Sequence, residues 1–98
     1  MPTKVLVMTT LRPDGQDALD RYLALVSPLM EKAGERLVSR HLVAETLSGG
    51  NMPDYVSIVD YPDRDAIRMV FEDPTYIGLK DTREAAFSRY DICIMEDA

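Results

Sequence analysis

Apolar positions recur with two different periods along this 98-residue chain, and the change of period marks its structural elements. Apolar residues at three- and four-residue steps from Leu19 to Ala33 predict an amphipathic helix of about 18 residues. Short runs rich in β-branched residues predict four strands. They are Lys4 to Leu11, Leu37 to Leu47, Tyr55 to Tyr61 and Ser88 to Met95.

Glycine, proline and aspartate residues locate the ends of the helices. Gly34 is the expected left-handed stop of the first helix. Asp63 and the pair Asp73-Pro74 are expected to open two further helices, over residues 63–72 and 74–87. The resulting order is βαββαβ, which predicts an α+β fold of the ferredoxin-like kind with a four-stranded antiparallel sheet.

The predicted strands are apolar on both sides, unlike those of a sheet that keeps one face in water. In the first strand Leu6 and Met8 point to one side, and Val5 and Val7 to the other. The predicted helices can cover only one face, and residues 1–98, interpreted as one domain, offer no further element for the second. We therefore expect an obligate homodimer, in which a second copy of the sheet covers the remaining face.

The net charge of the chain disfavours two classes of binding partner. The formal net charge is −6, from 11 basic and 17 acidic residues, which disfavours nucleic acid and anionic membrane surfaces. No apolar run approaches the roughly 20 residues that a membrane span requires. We therefore expect neither a nucleic acid nor a membrane as partner.

The chain carries few residues suited to a metal or a cofactor. With one cysteine, Cys93, and one histidine, His41, it has no zinc-ligand spacing and no internal disulfide, which fits a reducing cytoplasm. It also has no glycine-rich phosphate loop, flavin fingerprint or nucleophile elbow. We expect a cytoplasmic protein with no bound metal or cofactor.

The segment from Val56 to Glu84 carries most of a resemblance to a known family. In it an apolar strand is followed by two helical pieces that Asp73-Pro74 separates. Together with Pro28 to Gly34 and Arg40, this segment resembles domain-of-unknown-function family 1330, in the dimeric α/β-barrel superfamily. The resemblance covers roughly residues 17–96. It implies a ferredoxin-like fold and a dimer, but the family has no assigned reaction.

Two charged residues interrupt the apolar strands, Arg40 in the second and Asp60 in the third. If the hairpin pairs them, they form either an ion pair that fixes the register or two contacts that orient a polar substrate. A one-residue shift would place His41 opposite Asp60 instead, as a proton-transfer pair. His41 and Asp60 are thus candidate catalytic residues, unless His41 is structural or lies on the surface. Arg40 and Asp60 are candidate substrate-binding residues.

Tyr76 and Arg83 lie seven residues apart on the last predicted helix, and hence on one face. Both match the family pattern Pro-Glu-Tyr…Leu-Lys…Leu-Arg, with Thr75 in place of the glutamate. As substrate-binding candidates, the phenol and the guanidinium are expected to donate to a carboxylate or an enolate in a cavity. The alternative is that Tyr76 packs against the sheet and Arg83 pairs with an acidic neighbour.

Three functions are compatible with these candidates. The one we favour is a homodimer that binds a small organic molecule between sheet and helices, through Arg40, Asp60, Tyr76 and Arg83. The second, which the superfamily resemblance suggests, is a cofactor-independent monooxygenase or isomerase acting on a small aromatic or carboxylic substrate. The third is an assembly module, whose apolar faces serve oligomerisation alone.

Overall fold

Residues 2–98, which the computed structural model describes, form one antiparallel sheet with helices packed on one of its faces. The strands are β1 (Thr3–Leu11), β2 (Arg36–Leu42), β3 (Tyr55–Tyr61) and β4 (Phe87–Met95), in the spatial order β2-β3-β1-β4. The helices are α1 (Gln16–Lys32), α2 (Arg64–Phe71), α3 (Pro74–Ile77) and α4 (Lys80–Ala86). The predicted α+β, ferredoxin-like plan is confirmed.

Local side-chain chemistry fixes the starts of α2 and α3 and the end of α1. Gly34, with a φ of +83°, follows α1 in the left-handed conformation that the sequence predicted. The Asp63 carboxylate accepts the backbone N–H of Ala66 at 2.8 Å, which satisfies a free donor in the first turn of α2. Asp73 accepts the N–H of Thr75 in the same way at the start of α3, also at 2.8 Å.

The last predicted helix is divided into α3 and α4. At the joint, the Gly78 N–H donates to the carbonyl of Pro74, but the Leu79 N–H donates only three residues back, to Tyr76. This tighter turn ends α3, and the low helix propensity of glycine favours the break. The prediction of one continuous helix over residues 74–87 is therefore wrong at this joint.

Strand β2 is shorter than predicted and contains a β-bulge. It ends at Leu42 and not at Leu47, and its pairing with β3 shifts between Leu37 and Ser39. The bulge inserts Val38 as an extra residue, so the alternation of sides changes within the strand. A strand that changes sides in this way does not reveal its register through its apolar pattern.

The register of β2 corrects two of the predicted contacts. The pairs that define it are Arg36–Asp60, Arg40–Ser57 and His41–Val56. The predicted pairing of Arg40 with Asp60 is therefore wrong, and so is the alternative pairing of His41 with Asp60. The bulge shifts the register by only one residue, whereas Ser57, the partner of Arg40, lies three residues from Asp60. The register is set mainly by the long loop between Leu42 and Tyr55.

The helix-covered face of the sheet holds the hydrophobic core. Val5, Val59 and Tyr61 point from the sheet towards the helices, and none is more than 7% exposed. Helix α1 contributes Tyr22 and Val26, which are 2% and 1% exposed. These residues and the buried side chains of α2 and α3 form one continuous cluster.

The opposite, helix-free face presents a second apolar strip. Its members alternate with the core residues along β1, β3 and β4, and they are Leu6, Met8, Val56, Ile58, Cys93 and Met95. At its centre Leu6 lies opposite Ile58, and both are only half-buried. The predicted division of strand residues between two apolar sides is confirmed. In the described part of the chain, no helix covers this strip.

Candidate ligand-binding site

Three tyrosine hydroxyls meet on the helix-covered face of the sheet. Tyr22 comes from α1, Tyr76 from α3 and Tyr90 from β4. The hydroxyls of Tyr22 and Tyr76 donate to the Tyr90 oxygen, at 3.3 and 3.4 Å. Polar groups from three separate elements thus converge at one point among apolar side chains.

Each tyrosine reaches this point for a local reason. Tyr22 lies on the apolar stripe of α1 that faces the sheet. Tyr76 lies in the single turn of α3, whose start is fixed by the Asp73 cap. Tyr90 lies opposite Thr9 in the β1–β4 ladder, on the side of the strand that the helices cover.

Aromatic packing holds the rings in place. The Phe71 ring meets that of Tyr76 edge to face, with 4.7 Å between centroids. Phe87 packs in the same manner on Tyr22, at 5.8 Å. Edge-to-face pairs of this kind contribute about 0.5–1.5 kcal/mol each beyond the area they bury. The hydroxyls are therefore positioned by rings that are themselves constrained.

Arg83, from α4, completes what we call the tyrosine–arginine cluster, formed by Tyr22, Tyr76, Tyr90 and Arg83. Its Cζ atom lies 5.1 Å from the centroid of the Tyr76 ring and 5.3 Å from that of Tyr90. A guanidinium over an aromatic face is attracted by the ring quadrupole. The Arg83 Nη1 atom is buried and has no hydrogen-bond partner among residues 2–98.

The protonation of the phenols makes this cluster a set of donors. Burial raises the pKa of Tyr22 to about 12. Burial also raises the pKa of Tyr90 well above its ordinary value of 10.0. At neutral pH both side chains keep their hydrogens, so the cluster presents hydroxyl groups and one guanidinium.

An apolar cleft, which we call the α2–β4 cleft, lies beside the cluster. Its volume is about 260 Å³. The residues that line it are mostly aliphatic or aromatic, and they are Val5, Ile67, Arg68, Phe71, Glu72, Ile92, Cys93 and Ile94. Phe71 belongs to the cleft and also contacts the Tyr76 ring, so it links the two. The cleft offers room for an apolar group close to polar donors.

Asp60 lies on the helix-free face, on the other side of the sheet from the cluster. Its carboxylate is bound by Lys4 Nζ at 3.0 Å and by Arg36 Nη2 at 3.1 Å, and its side chain is only 7% exposed. The hydrogen bonds from Lys4 and Arg36 hold the pKa of Asp60 below its ordinary value of 3.8. Such a carboxylate is a weak base, because both cations favour its charged form.

Arg40 and His41 also lie apart from the cluster, because β2 and β4 are the two opposite edges of the sheet. The Arg40 guanidinium stacks on the ring of Tyr55, 5.4 Å from its centroid. His41 is exposed on the helix-free side, opposite Val56. Among the predicted substrate-binding residues, the structure brings Tyr76 and Arg83 together and leaves Arg40 and Asp60 elsewhere.

Tyr90 is a member of the cluster that the sequence analysis did not single out as a site residue. A signal was present, since Tyr90 alternates with Ile92 and Ile94 and therefore shares their side of β4. A tyrosine on an otherwise apolar face needs a partner for its hydroxyl. Lys4 was missed as a partner of Asp60 because the sequence analysis did not predict the pairing of β1 with β3, and Arg36 because the register of β2 was left open.

Residues 2–98 contain neither a candidate metal site nor a candidate membrane-spanning helix. No group of three or more His, Cys, Asp or Glu side chains is arranged there to hold a metal ion. None of the helices in that range combines the length and the apolarity needed to cross a membrane.

The element order and the sheet define a ferredoxin-like α+β protein. Solved structures with this fold match almost the whole chain. One is RPA0582, a protein of unknown function from Rhodopseudomonas palustris. It is 24% identical, with a TM-score of 0.83, and the match covers 99% of this chain and 82% of that chain. The chain belongs to the family described as Domain of unknown function (DUF1330), whose profile matches residues 4–98. The resemblance seen in the sequence is thereby confirmed.

More distant solved structures share the fold. SnoaB from Streptomyces nogalater, described as a cofactor-independent oxygenase, is 14% identical with a TM-score of 0.62, over 99% of this chain and 93% of that chain. A dimeric protein of unknown function from Bacteroides fragilis is 13% identical with a TM-score of 0.59, over 98% of this chain and 96% of that chain. Identities this low show the fold alone. No curated protein matches the chain.

Proposed function

We propose that this protein is a homodimer that binds a small organic molecule between its sheet and its helices. The observation that carries the proposal is the contact between the α2–β4 cleft and the tyrosine–arginine cluster through Phe71. Binding pockets for small molecules are typically apolar cavities with a few convergent polar groups. Tyr76 and Arg83 are the predicted contacts that fit this arrangement.

The helix-free face supports the dimer. Leu6 and Ile58 lie at its centre, and contiguous apolar surface of this kind usually marks an interaction site. A second copy of the same sheet is the simplest cover, because a two-fold axis pairs a surface with itself. The Bacteroides fragilis protein of this fold is described as dimeric. Each square ångström of apolar surface removed from water contributes about 25 cal/mol.

Cofactor-independent catalysis on a small aromatic or carboxylic substrate is the second candidate function. The observation that favours it is the group of donors around Tyr90, which could stabilise negative charge that develops on oxygen. SnoaB, which shares the fold, is described as a cofactor-independent oxygenase. The two predicted catalytic residues, His41 and Asp60, belong to the other face, so binding is the function that the geometry supports better.

A ligand-observed NMR screen with a library of small aromatic and aliphatic fragments tests the proposal. We expect hits whose binding is weakened at least about tenfold by Arg83→Ala, because the charged donor makes a strong hydrogen bond. Tyr76→Phe should weaken binding less, because the Tyr76 hydroxyl donates to Tyr90 and acts on the ligand through it. Arg21→Gln, an exposed change on α1, serves as the control and leaves binding unchanged. If no fragment binds, or if the hits bind both cluster variants as well as the wild type, the proposed function is wrong.

A further inference from the structure

The charge of Arg83 has no counterpart in the tyrosine–arginine cluster. No carboxylate among residues 2–98 forms an ion pair with it, although the chain carries 17 acidic residues and a net charge of −6. Asp60 shows the contrast, since two cations neutralise it on the opposite face. A charge that is partly withdrawn from water is costly unless it is paired. An anion from outside the described chain would supply the partner that Arg83 lacks.

The orientation of Arg83 leaves its donors free. The rings of Tyr76 and Tyr90 both lie near the guanidinium, with centroids 5.1 and 5.3 Å from Cζ. Contacts with the ring faces hold the guanidinium but accept none of its N–H groups as conventional acceptors do. Nη1 consequently remains buried without an acceptor in the part of the chain that the structure describes.

Tyr90 supplies a second free donor at the same place. Its oxygen accepts the hydrogens of Tyr22 and Tyr76, at 3.3 and 3.4 Å. A phenol carries one hydrogen and two lone pairs, so the hydrogen of Tyr90 itself is left for a further acceptor. Hydrogen bonds received by a hydroxyl polarise it and strengthen the bond that it donates. Burial keeps that hydrogen in place, because it raises the pKa of Tyr90.

We propose that the ligand of this site is an apolar carboxylic acid in its ionised form. One carboxylate oxygen accepts from Arg83 Nη1 and the other from the Tyr90 hydroxyl, while the apolar body extends past Phe71 into the α2–β4 cleft. This inference rests on the proposed binding function and adds the chemical class of the ligand. The positive charge of Arg83 favours an ionised acid over a neutral ligand, and the α2–β4 cleft favours a ligand with an apolar body.

The size of the α2–β4 cleft suits a ligand built on one ring. Its volume is about 260 Å³, which exceeds the roughly 150 Å³ of an apolar protein cavity known to admit benzene. The aliphatic walls, such as Val5 and Ile92, offer no hydrogen bonds, and the two charged residues of the lining, Arg68 and Glu72, leave it without net charge. The recognition elements therefore divide into one polar end and one apolar end.

Tyr22 is a positioning residue in this arrangement. Its hydroxyl bonds to Tyr90, and its ring packs on Phe87, so it acts on the ligand only through Tyr90. Tyr22→Phe removes one of the two hydrogen bonds that polarise Tyr90. We expect this change to lower the preference for an acid by about two- to threefold, less than a change at Tyr90 itself.

Two acid–amide pairs test the inference on the unaltered protein: benzoate with benzamide, and 3-phenylpropionate with 3-phenylpropionamide. Dissociation constants are measured by NMR titration at neutral pH. We expect at least one acid to bind about tenfold or more tightly than its amide, since both of the proposed hydrogen bonds are stronger when the acceptor is charged. Equal affinities within both pairs, or no binding by any of the four, would overturn the inference.

The test separates this inference from the proposed function. If neutral fragments bind at the cleft while the acids show no advantage, the protein binds small molecules but does not select anions. If no fragment of any kind binds, the proposed function itself fails, and the inference fails with it. A clear preference for the acids supports both.

Variants locate the preference, with the ratio of acid to amide affinity as the readout. In Arg83→Gln, the ratio of acid to amide affinity is expected to fall to about one. Tyr90→Phe is expected to reduce it about threefold or more. Arg21→Gln makes the same charge change at an exposed position of α1 and leaves the ratio unchanged. A variant that merely weakened the fold would lower both affinities and preserve the ratio, so a preserved ratio in Arg83→Gln contradicts the assignment.

Discussion

The helix-covered and helix-free faces of the sheet carry their polar groups in different ways. On the helix-free face, Asp60 is held by Lys4 and Arg36, and all of its charge is compensated. On the helix-covered face, Arg83 lies against Tyr76 and Tyr90 without a carboxylate partner in residues 2–98. Within the described chain, the carboxylate of Asp60 has partners for its charge, whereas Arg83 has a hydrogen-bond donor without an acceptor.

This difference indicates which face holds the polar part of a ligand site. A satisfied ion network fixes structure, and the strip around it is apolar surface suited to a second subunit. An unsatisfied buried donor is rare in folded proteins and marks a place where an external group is expected. We therefore propose that assembly uses the helix-free face and that ligand binding uses the helix-covered face.

The largest effect that we predict is the loss of the dimer on Leu6→Asp. This change places a carboxylate at the centre of the helix-free face, opposite Ile58 and Cys93. A dimer would bury two such unpaired charges, so its dissociation constant should rise by about a thousandfold or more. Light scattering after size-exclusion chromatography measures the change.

The control for this prediction is Leu23→Asp, which makes the same substitution at an exposed position of α1. It should leave the mass of the particle unaltered. A dimer that persists in Leu6→Asp, with circular dichroism showing a native fold, would mean that the helix-free face is not the interface.

The next largest effect is a loss of stability in alkali, caused by the helix-covered face. The folded pKa of Tyr22 is about 12 and its ordinary value is 10.0, so its contribution is complete below pH 10 and is lost as pH rises towards 12. Over that interval Tyr22 alone accounts for about 3 kcal/mol. We expect Tyr22→Phe to make the decline of the free energy of unfolding shallower. The measurement is urea denaturation of both proteins at several pH values between 10 and 12. An equal decline of the unfolding free energy in the wild type and in Tyr22→Phe would contradict the account.

A pair of valine truncations compares the two faces directly. Val26→Ala, at a position 1% exposed in the core, should cost about 2 kcal/mol of unfolding free energy. Val56→Ala, on the helix-free face, should cost nearly as much if a second subunit covers it, and less than about 1 kcal/mol if water does. Urea denaturation measures both costs, and a cost of Val56→Ala close to that of Val26→Ala indicates that the helix-free face is covered.

The smallest predicted effect concerns acid and the helix-free face. Because Lys4 and Arg36 lower the folded pKa of Asp60, its contribution to stability is present above its ordinary pKa of 3.8 and is lost as pH falls below that value. Asp60→Asn should lower the melting temperature at neutral pH, and the difference from the wild type should shrink below about pH 4. Glu96→Gln, in an exposed pair with Arg64, is the control and should change little. A constant difference between Asp60→Asn and the wild type across this range would show that the ion network is not responsible.

The element pattern was predictable because it depends on local chemistry. The spans of β1, β3 and β4 and the caps at Asp63 and Asp73 follow from alternation and from side-chain acceptors beside free N–H groups. The two apolar sides of the strands were predicted for the same reason, since the side-chain period of a strand is fixed. The break at Gly78 was missed because the apolar pattern continues through it.

The candidate site was predictable only in part. Tyr76 and Arg83 were found through their spacing and their match to a family pattern, and the structure brings them together. Arg40 and His41 could not be placed, because the register of β2 depends on the long loop between Leu42 and Tyr55, whose ends the apolar pattern did not locate. The approach of Tyr90 to two helices depends on tertiary packing, which periodicity does not describe.

The central claim is that a second copy of the chain covers the helix-free face. Sedimentation equilibrium of the unaltered protein at micromolar concentration tests this claim most directly. We predict a particle of twice the subunit mass of 11.0 kDa, with no monomer at the lowest concentration measured. A single species at 11.0 kDa would leave Leu6 and Ile58 in water and would contradict the account.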